Sequence, residues 1–398
     1  MSNNESAAPK VAIIYLSYNS EPYWSKTLPA LEKLNYPKDQ LELIIVDNPH
    51  PEHGSSEQFL QKEIMPLSGN RLPKITLLPQ TINTGFAKGN NIGIKKALEL
   101  NCQYVYLHNQ DGFMEPECLH RLVDAMAGDT TIGAAQSLIM LSPEVDLINS
   151  AGNALHYLGF GYCNYYRKPV SELSFRPERS EVEKSLRHPE LVSGSTEMLN
   201  QVQHDMLEVR EVGYASGASL LLRADLIEKH GALDEYFISY HEDLEYSLRL
   251  KSLGYKAALV SNSLFFHEYS FKRNSDKYYL MERNRFATLL LYYEWPTLLL
   301  LFPMLFFTEI GLLLFSWQQG WIKEKLRAYA YWMNLIYWQH WLQKRNSIQK
   351  QRTVADGKLL ALATGKIIFN EEGIENVVLT KLANPLMEFY WRVIKSLL

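Results

Sequence analysis

The sequence predicts an α/β protein: a mixed, mostly parallel sheet flanked by helices, followed by a C-terminal helical region. Three observations carry that expectation. Apolar, β-rich runs alternate with helical stretches four times before residue 128, a strand-helix-strand pattern resumes after residue 212, and from residue 292 the composition shifts to long apolar and aromatic segments.

The first run, VAIIYLS at 11–17, reads as a buried strand and is followed by a helical stretch at 22–34. LELIIVD at 41–47 pairs with a helix at 55–64, KITLL at 74–78 with a helix at 87–100, and YVYLH at 104–108 with a helix at 115–127. In sheets of this kind ligands gather beyond the carboxyl ends of the strands. The polar residues there are Tyr18 and Asn19, Asp47 and Asn48, Asn83, and Asp111, and they should converge on one crevice. The second half reads as a strand at 216–222, a short helix, an aromatic loop, a helix at 243–253 and a strand at 256–260. Between the halves, residues 170–210 are polar and charged without sustained periodicity, which predicts a surface insertion free of catalytic residues.

The C-terminal third has a different character. TLLLLFPMLFFTEIGLLLFS at 297–316 carries one charge, Glu309, and as a helix would extend roughly 30 Å, enough to cross a bilayer. Tyr292, Tyr293 and Trp295 precede it and Trp317 and Trp321 follow, as aromatic belts do. Pro303 interrupts it, and basic residues stand on both flanks, so a re-entrant or in-plane helix satisfies the positive-inside tendency better than one crossing. A buried helix of a soluble bundle is the alternative. AYAYWMNLIYWQHWLQKR and PLMEFYWRVIKSLL have the composition of interfacial helices. The expected organisation is a flexible tail at 1–9, a catalytic domain at 10–291 and a membrane-associated helical region at 292–398.

With 398 residues, 46% of them hydrophobic, the chain can bury a large core. A formal net charge of -4 gives no general reason to expect nucleic acid as a partner. Three unevenly spaced cysteines propose neither a disulfide framework nor a zinc site, and the polar N-terminus lacks the order of a secretory signal, so the cytoplasmic face of the cell membrane is the expected location.

Asp111, just past a strand, is well placed to hold a divalent cation that neutralises a diphosphate, although Asp111-Gly112 also makes a good turn. Asp243 opens a helix whose apolar residues face the protein. There it is either a cap complementing the helix dipole or a general base aimed into the adjoining loop space.

Taken together, SYNS, VDN, NTGFAKGNNIGI, LHNQDGFMEP, SGASLLLRADLIEKHGALDEYFISYHEDLEYSLRLKSLGY, FHEYS and MERNR occur in the order and approximate spacing of family 2 inverting glycosyltransferases with the GT-A fold. The chain resembles that family over residues 11–293. It looks most like the branch of rhamnosyltransferases and related enzymes of cell-surface polysaccharide assembly.

The resemblance implies a role for each matching residue. Tyr18, with Asn19, would stack on a pyrimidine, and Asp47 would accept the base N3-H, favouring uracil or thymine. Asn83, Gly85, Asn90 and Asn91 would form the floor near ribose and phosphates, and Gln110 would join the nucleotide-sugar pocket. The sequence PHPEHG after Asp47 departs from the family's small, polar run. Asp111 matches the second acid of a D-x-D-like element in which Asn109 replaces the first, and His267 matches a downstream histidine, so these two are the expected ligands of Mg2+ or Mn2+. Asp243 would be the general base, Glu242 an orienting or acceptor-binding group, and Ser216 and Gly217 the lining of the sugar cleft. Arg283 and Arg285 would lie near the phosphates or the membrane face.

The function so implied is transfer of a sugar from a UDP- or dTDP-sugar, dTDP-rhamnose among them, to a lipid-linked or cell-surface glycan precursor. A membrane surface is an expected partner, and a homodimer is one option for assembly. A non-catalytic scaffold and a processive polysaccharide synthase are the alternatives; no Q-x-x-R-W element follows the Glu242-Asp243 helix.

Overall fold

The computed structural model describes residues 8–173, 209–269, 275–368 and 377–398. Strands β1 (Val11–Ser17), β2 (Leu41–Asp47), β3 (Lys74–Pro79) and β4 (Tyr104–Asn109) are parallel neighbours in the order β4-β1-β2-β3. Every residue of β1 is buried, which is why an uninterrupted apolar run encodes it.

Its two faces feed two cores. Val11, Ile13 and Tyr15 pack with α1 (Trp24–Glu32) and α3 (Cys118–Gly128), while Ala12, Ile14 and Leu16 pack under α2 (Gly85–Glu99). A side chain at Gly89 would bring its Cβ within 2.6 Å of Leu16, so glycine there lets α2 sit down on β1.

The rest of the sheet brings distant segments to the carboxyl edge of β4. Strand β5 (Gly112–Met114) follows it at once. Strand β6 (Ile132–Leu141), absent from the sequence-based expectation, lies beyond an antiparallel β11 (Ser219–Arg223), which pairs Ser219 with His108 on β4 and Leu220 with Gln136 on β6. Short strands β7 (Ile148–Ser150), β8 (Asn153–Leu155) and β9 (Gly161–Cys163) were also not expected. Strand β12 (Lys256–His267) runs seven residues past its expected end, shifts register between Val260 and Leu264, and reaches β5, where His267 pairs with Gly112.

Most of the expected insertion, 174–208, lies outside the described residues. At its borders, Val170–Glu172 form a helical turn and β10 (Val209–Glu211) adds an edge strand against β12.

Helices α4 (Ala224–His230), α5 (Glu242–Ser252), α6 (Ser275–Tyr292), α7 (Trp295–Gln318), α8 (Ile322–Met333), α9 (Leu335–Gln351) and α10 (Asn384–Lys395) complete the chain. The expected boundary after residue 291 falls inside a shared core: Leu155, Phe160, Phe237, Leu244 and Leu248 pack with Leu289, Tyr292, Leu301, Trp341 and Trp391.

The single charge of α7 is also explained. Glu309 accepts from Arg285 of α6, from Lys325 of α8 at 2.6 Å and from Tyr329 at 2.6 Å, and Arg285 and Lys325 also hold Glu282. This four-charge cluster pins the middle of α7 to α6 and α8. Helix α7 continues through Pro303 rather than ending there.

Candidate active site

Asp111 and His267 are 156 residues apart in sequence and meet through the β5-β12 pairing. His267 Nε2 lies 2.9 Å from Asp111 Oδ1. Asn109 Nδ2, in the place of a first acid, reaches that same oxygen at 2.7 Å and the imidazole at 3.1 Å. On its other side His267 Nδ1 lies 3.0 Å from Asn149 Oδ1, so the ring is held between that amide and the carboxylate.

At this distance the imidazole nitrogen and the carboxylate oxygen form a hydrogen-bonded pair, and the same two atoms are of the chemistry that would hold a divalent cation. Among the described residues no group of three or more His, Cys, Asp or Glu is disposed to hold a metal. Two protein donors would leave the other positions to a diphosphate and water. Burial raises the Asp111 pKa, but the opposed His267 outweighs it, and the carboxyl ends below its usual value.

Asp243 shares this edge. Asn109 N-H donates to Ala218 O at 3.0 Å, and the neighbouring Gly217 N-H donates to Asp243 Oδ2 at 3.0 Å. Leu244 N-H donates to Asp243 Oδ1 at 2.8 Å. Two residues' backbone thus separates the β4 terminus from the Asp243 carboxylate, and Ser216, whose N-H is held by Gln136 Oε1 at 2.7 Å, lies in the same loop.

Burial raises the Asp243 pKa and the two backbone donors oppose it. Glu242 is pushed up to about 8, by burial first and by the Asp243 charge second, and its Oε2 is buried without a partner. With donors on Asp243 and none on that Glu242 oxygen, the neutral-pH proton belongs on Glu242 and the charge on Asp243.

The folded protein therefore keeps a proton on Glu242 up to about pH 8, whereas the unfolded chain releases it near 4.5. The stability tied to this group is complete below the lower value and is lost as pH rises through the upper one. Replacing Glu242 with Gln should leave melting unchanged at pH 4 and raise the melting temperature by on the order of 5 °C at pH 8.5, measured by calorimetry. An equal change at both pH values would contradict the shift.

The segment before Asp243 is strained. Ile238, Tyr240 and His241 all have left-handed backbones, with φ of 63°, 65° and 68°. Ser239 N-H closes on Phe237 O at 2.7 Å around Ile238, whose ψ is -68°, a tight γ-turn that is rare for a β-branched residue. Each such residue costs about 1–3 kcal/mol, and strain of this kind collects at working sites.

On the nucleotide side the residues divide. Gln110 clamps the Tyr18 backbone from both sides, accepting from its N-H at 2.6 Å and donating to its carbonyl at 2.7 Å. The Tyr18 ring lies 4.6 Å from His50, so PHPEHG supplies an aromatic wall the sequence reading missed; its histidines were the available signal. Asn19 takes a left-handed backbone, φ 54°, which turns the chain out of β1. Asn83 is exposed and accepts Gly85 N-H at 2.8 Å.

Five residues singled out in the sequence have partners within the fold. Asp47 is fully buried, and its oxygens take Ser17 Oγ at 2.7 Å and Ser55 Oγ at 2.5 Å. Asn90 turns back onto Phe86 O within α2. Asn91 bridges to Leu233, giving and accepting backbone hydrogen bonds at 2.8 and 3.0 Å. Arg283 and Arg285 are buried, Arg283 on the carbonyls of Tyr236 and Phe237 and Arg285 in the Glu282-Glu309 cluster.

Gly85, with φ 76°, lies against the strained loop: Ile238 O accepts Ala87 N-H at 3.1 Å and Ser239 Oγ accepts Phe86 N-H at 3.4 Å. The first turn of α2 is thus capped by that loop.

A separate cavity of about 390 Å³ is bounded by Phe160, Tyr162, Met304, Phe307, Gly311 and Met387 among others, and includes neither Asp111 nor Asp243.

Residues 12–182 match the family model described as glycosyl transferase family 2. The poly(ribitol-phosphate) beta-N-acetylglucosaminyltransferase TarS of two Staphylococcus aureus strains, Mu50 and MW2, is 29% identical over 154 residues, covering 35% of this chain and 25% of TarS. The matched stretch thus spans a quarter of those relatives, and the sugar they transfer, by name, is N-acetylglucosamine rather than rhamnose. A crystal structure of GalNAc-T7 with UDP, GalNAc and Mn2+ superimposes with a TM-score of 0.52 at 16% identity, over 73% of this chain and 49% of that one. The fold is accordingly GT-A-like.

Proposed function

We propose that this protein, whose residues 12–182 match the family model described as glycosyl transferase family 2, is an inverting, nucleotide-sugar-dependent glycosyltransferase. The observation that carries the reading is the convergence of the Asp111-His267 pair and Asp243 on one edge of the sheet, joined through Asn109-Ala218 and Gly217-Asp243 hydrogen bonds.

Tyr18, fixed by Gln110, stacks on the base. Asp111 and His267 would hold a divalent cation, which would supply positive charge to neutralise the departing diphosphate. Asn109 adds no negative charge, so the pair leaves more of the cation's charge for the phosphates. Asp243 takes the proton of an acceptor hydroxyl as its oxygen bonds to the anomeric carbon; the bond from that carbon to the diphosphate oxygen breaks, and the nucleotide leaves with the electron pair. Glu242, protonated, spares Asp243 from sharing the site with a second charge.

UDP and dTDP are the donors to test first. Mn2+ and UDP are named in the fold neighbour's crystal structure. Incubating purified protein and Mn2+ with a panel of UDP-, dTDP- and GDP-sugars, dTDP-rhamnose included, and measuring nucleotide release checks this: turnover of at least one UDP- or dTDP-sugar is expected. No turnover and no nucleotide binding in calorimetry would favour the scaffold reading.

The acceptor we propose is lipid-linked, met at a membrane surface on the cytoplasmic face. Helix α7 has a mean hydropathy of 2.3 over its most apolar window, yet only 17% of that window is buried, leaving Leu299, Phe302, Phe307 and Trp317 exposed. Leu382, Leu386 and Phe389 continue this apolar surface near α10. Each large apolar side chain left in water forgoes about 1.5–3 kcal/mol, so the surface calls for an apolar partner. The grip of α6 and α8 on Glu309 supports an α7 that lies in the plane of the interface.

The apolar cavity borders α7 and has the size to take part of an alkyl chain. Nothing lies within 4 Å of a Cβ built at Gly311. Gly311→Phe should fill it and lower kcat/KM about tenfold on a long-chain acceptor while leaving a short-chain, water-soluble acceptor unchanged. Equal effects on both acceptors would remove the cavity from the account.

A further inference from the structure

The carboxamide of Asn284, wholly buried on α6, is aimed at the strained loop that precedes Asp243. Its Nδ2 lies 2.9 Å from Phe237 O, 3.1 Å from Ser239 O and 2.7 Å from Tyr240 O, so two hydrogens are shared among three carbonyls. Its Oδ1 accepts from Arg283 Nε at 2.9 Å and Nη2 at 2.7 Å, which forbids the flipped amide and keeps the donor end on the loop. Arg283 adds a bond of 2.6 Å to Tyr236 O.

These carbonyls belong to the stretch where Ile238, Tyr240 and His241 are left-handed, a conformation that non-glycine residues hold only when their surroundings impose it. The loop acts at both ends. It caps α2 through Ile238 O and Ser239 Oγ, and it runs directly into Glu242 and Asp243 at the start of α5.

We infer that Asn284 is a positioning residue for sugar transfer: its amide holds residues 237–240 in the path that keeps Ile238 and Tyr240 left-handed and thereby sets Asp243 against Gly217 and the acceptor cleft. This rests on the role proposed for Asp243. A small displacement of a general base is costly, because reacting atoms must meet within a few tenths of an ångström. Asn284 touches no substrate, so its effect should fall on kcat and not on donor binding.

The test combines three variants with two kinds of readout. Asn284→Ala should speed hydrogen exchange of the amides at 237–241 about tenfold or more, and Asn284→Asp, isosteric but presenting an acceptor to three carbonyls, should do at least as much. In both, kcat should fall about 30-fold or more while the UDP dissociation constant with Mn2+ stays within about twofold. Adding Ile238→Gly to Asn284→Ala should recover about fivefold in kcat, since glycine adopts the left-handed turn unaided.

Unchanged exchange in the loop, kcat within about threefold of wild type, or a loss of activity matched by lost UDP binding would each overturn the inference. If the wild-type protein proved to transfer no sugar, the exchange measurement would still decide whether Asn284 holds the loop, so failure of the functional reading is distinguishable from failure of this one.

Discussion

Asp243→Asn is expected to lower kcat for transfer by about 1,000-fold, with donor KM within about twofold of wild type. The substitution keeps the shape of the side chain and an oxygen for Gly217 N-H or Leu244 N-H, the two donors that hold the carboxylate at 3.0 and 2.8 Å. What it removes is the ability to accept a proton from the acceptor hydroxyl, so the loss belongs to the chemical step. The neighbouring Glu242→Gln should cost far less, about tenfold at most, because Glu242 is already protonated at neutral pH and Gln mimics that state. Steady-state kinetics on both variants separates the two roles. A drop of less than about tenfold for Asp243→Asn, or a larger drop for Glu242→Gln, would reassign the base.

Asp111→Ala is expected to have the second largest effect, about 100-fold in kcat/KM, expressed chiefly as weaker donor binding. The variant leaves His267 Nε2 facing Asn109 with no carboxylate opposite, so the site keeps a single protein donor for a cation. Wild-type protein treated with EDTA should fall to the level of this variant, and Mn2+ should restore wild type at much lower concentration than it restores Asp111→Ala. Titrating Mn2+ into both while following donor turnover checks the prediction. Restoration at the same Mn2+ concentration would mean that Asp111 serves only the turn at Gly112.

Much of the parallel half was legible because its code is local. VAIIYLS, LELIIVD and YVYLH are continuous apolar runs, and they fold as β1, β2 and β4 within a residue of the expected bounds. The edge on which Tyr18, Asn109, Asp111 and Ser216 gather follows from that order. Strand β6 was missed although all ten of its residues are buried, because IGAAQSLIML mixes Gly, Ala, Gln and Ser that are satisfied only by neighbours: Gln136 by Ser216, Ser137 by Ser219 and Ser263. The extension of β12 to His267 is paired on one side with the unexpected β6 and on the other with β5, three residues long and too short to announce itself.

Two polar residues of the expected site, Asp47 at the end of β2 and Asn91 within α2, have partners inside the fold. Asp47 and Asn91 are of a chemistry that recognises ligands, but the same donors and acceptors complete turns and bridges, and a single sequence does not tell which. The converse holds for MERNRF. Arg283, Asn284 and Arg285 look like a polar helix face, yet each is buried against a partner at least 24 residues away, on the strained loop or on α7. Left-handed residues at 238, 240 and 241 carry no glycine signal because Asn284 and Arg283, not the loop's own composition, impose them.

The central claim is that one cation-bearing carboxylate and one general base face opposite sides of the same sugar carbon. Its most direct test is a structure of the protein with Mn2+ and a non-transferable UDP-sugar analogue. The account predicts Mn2+ bound by Asp111 and His267 and bridging to the diphosphate, with the anomeric carbon between the diphosphate and Asp243. Mn2+ bound away from Asp111, or Asp243 screened from the anomeric carbon by protein, would contradict it.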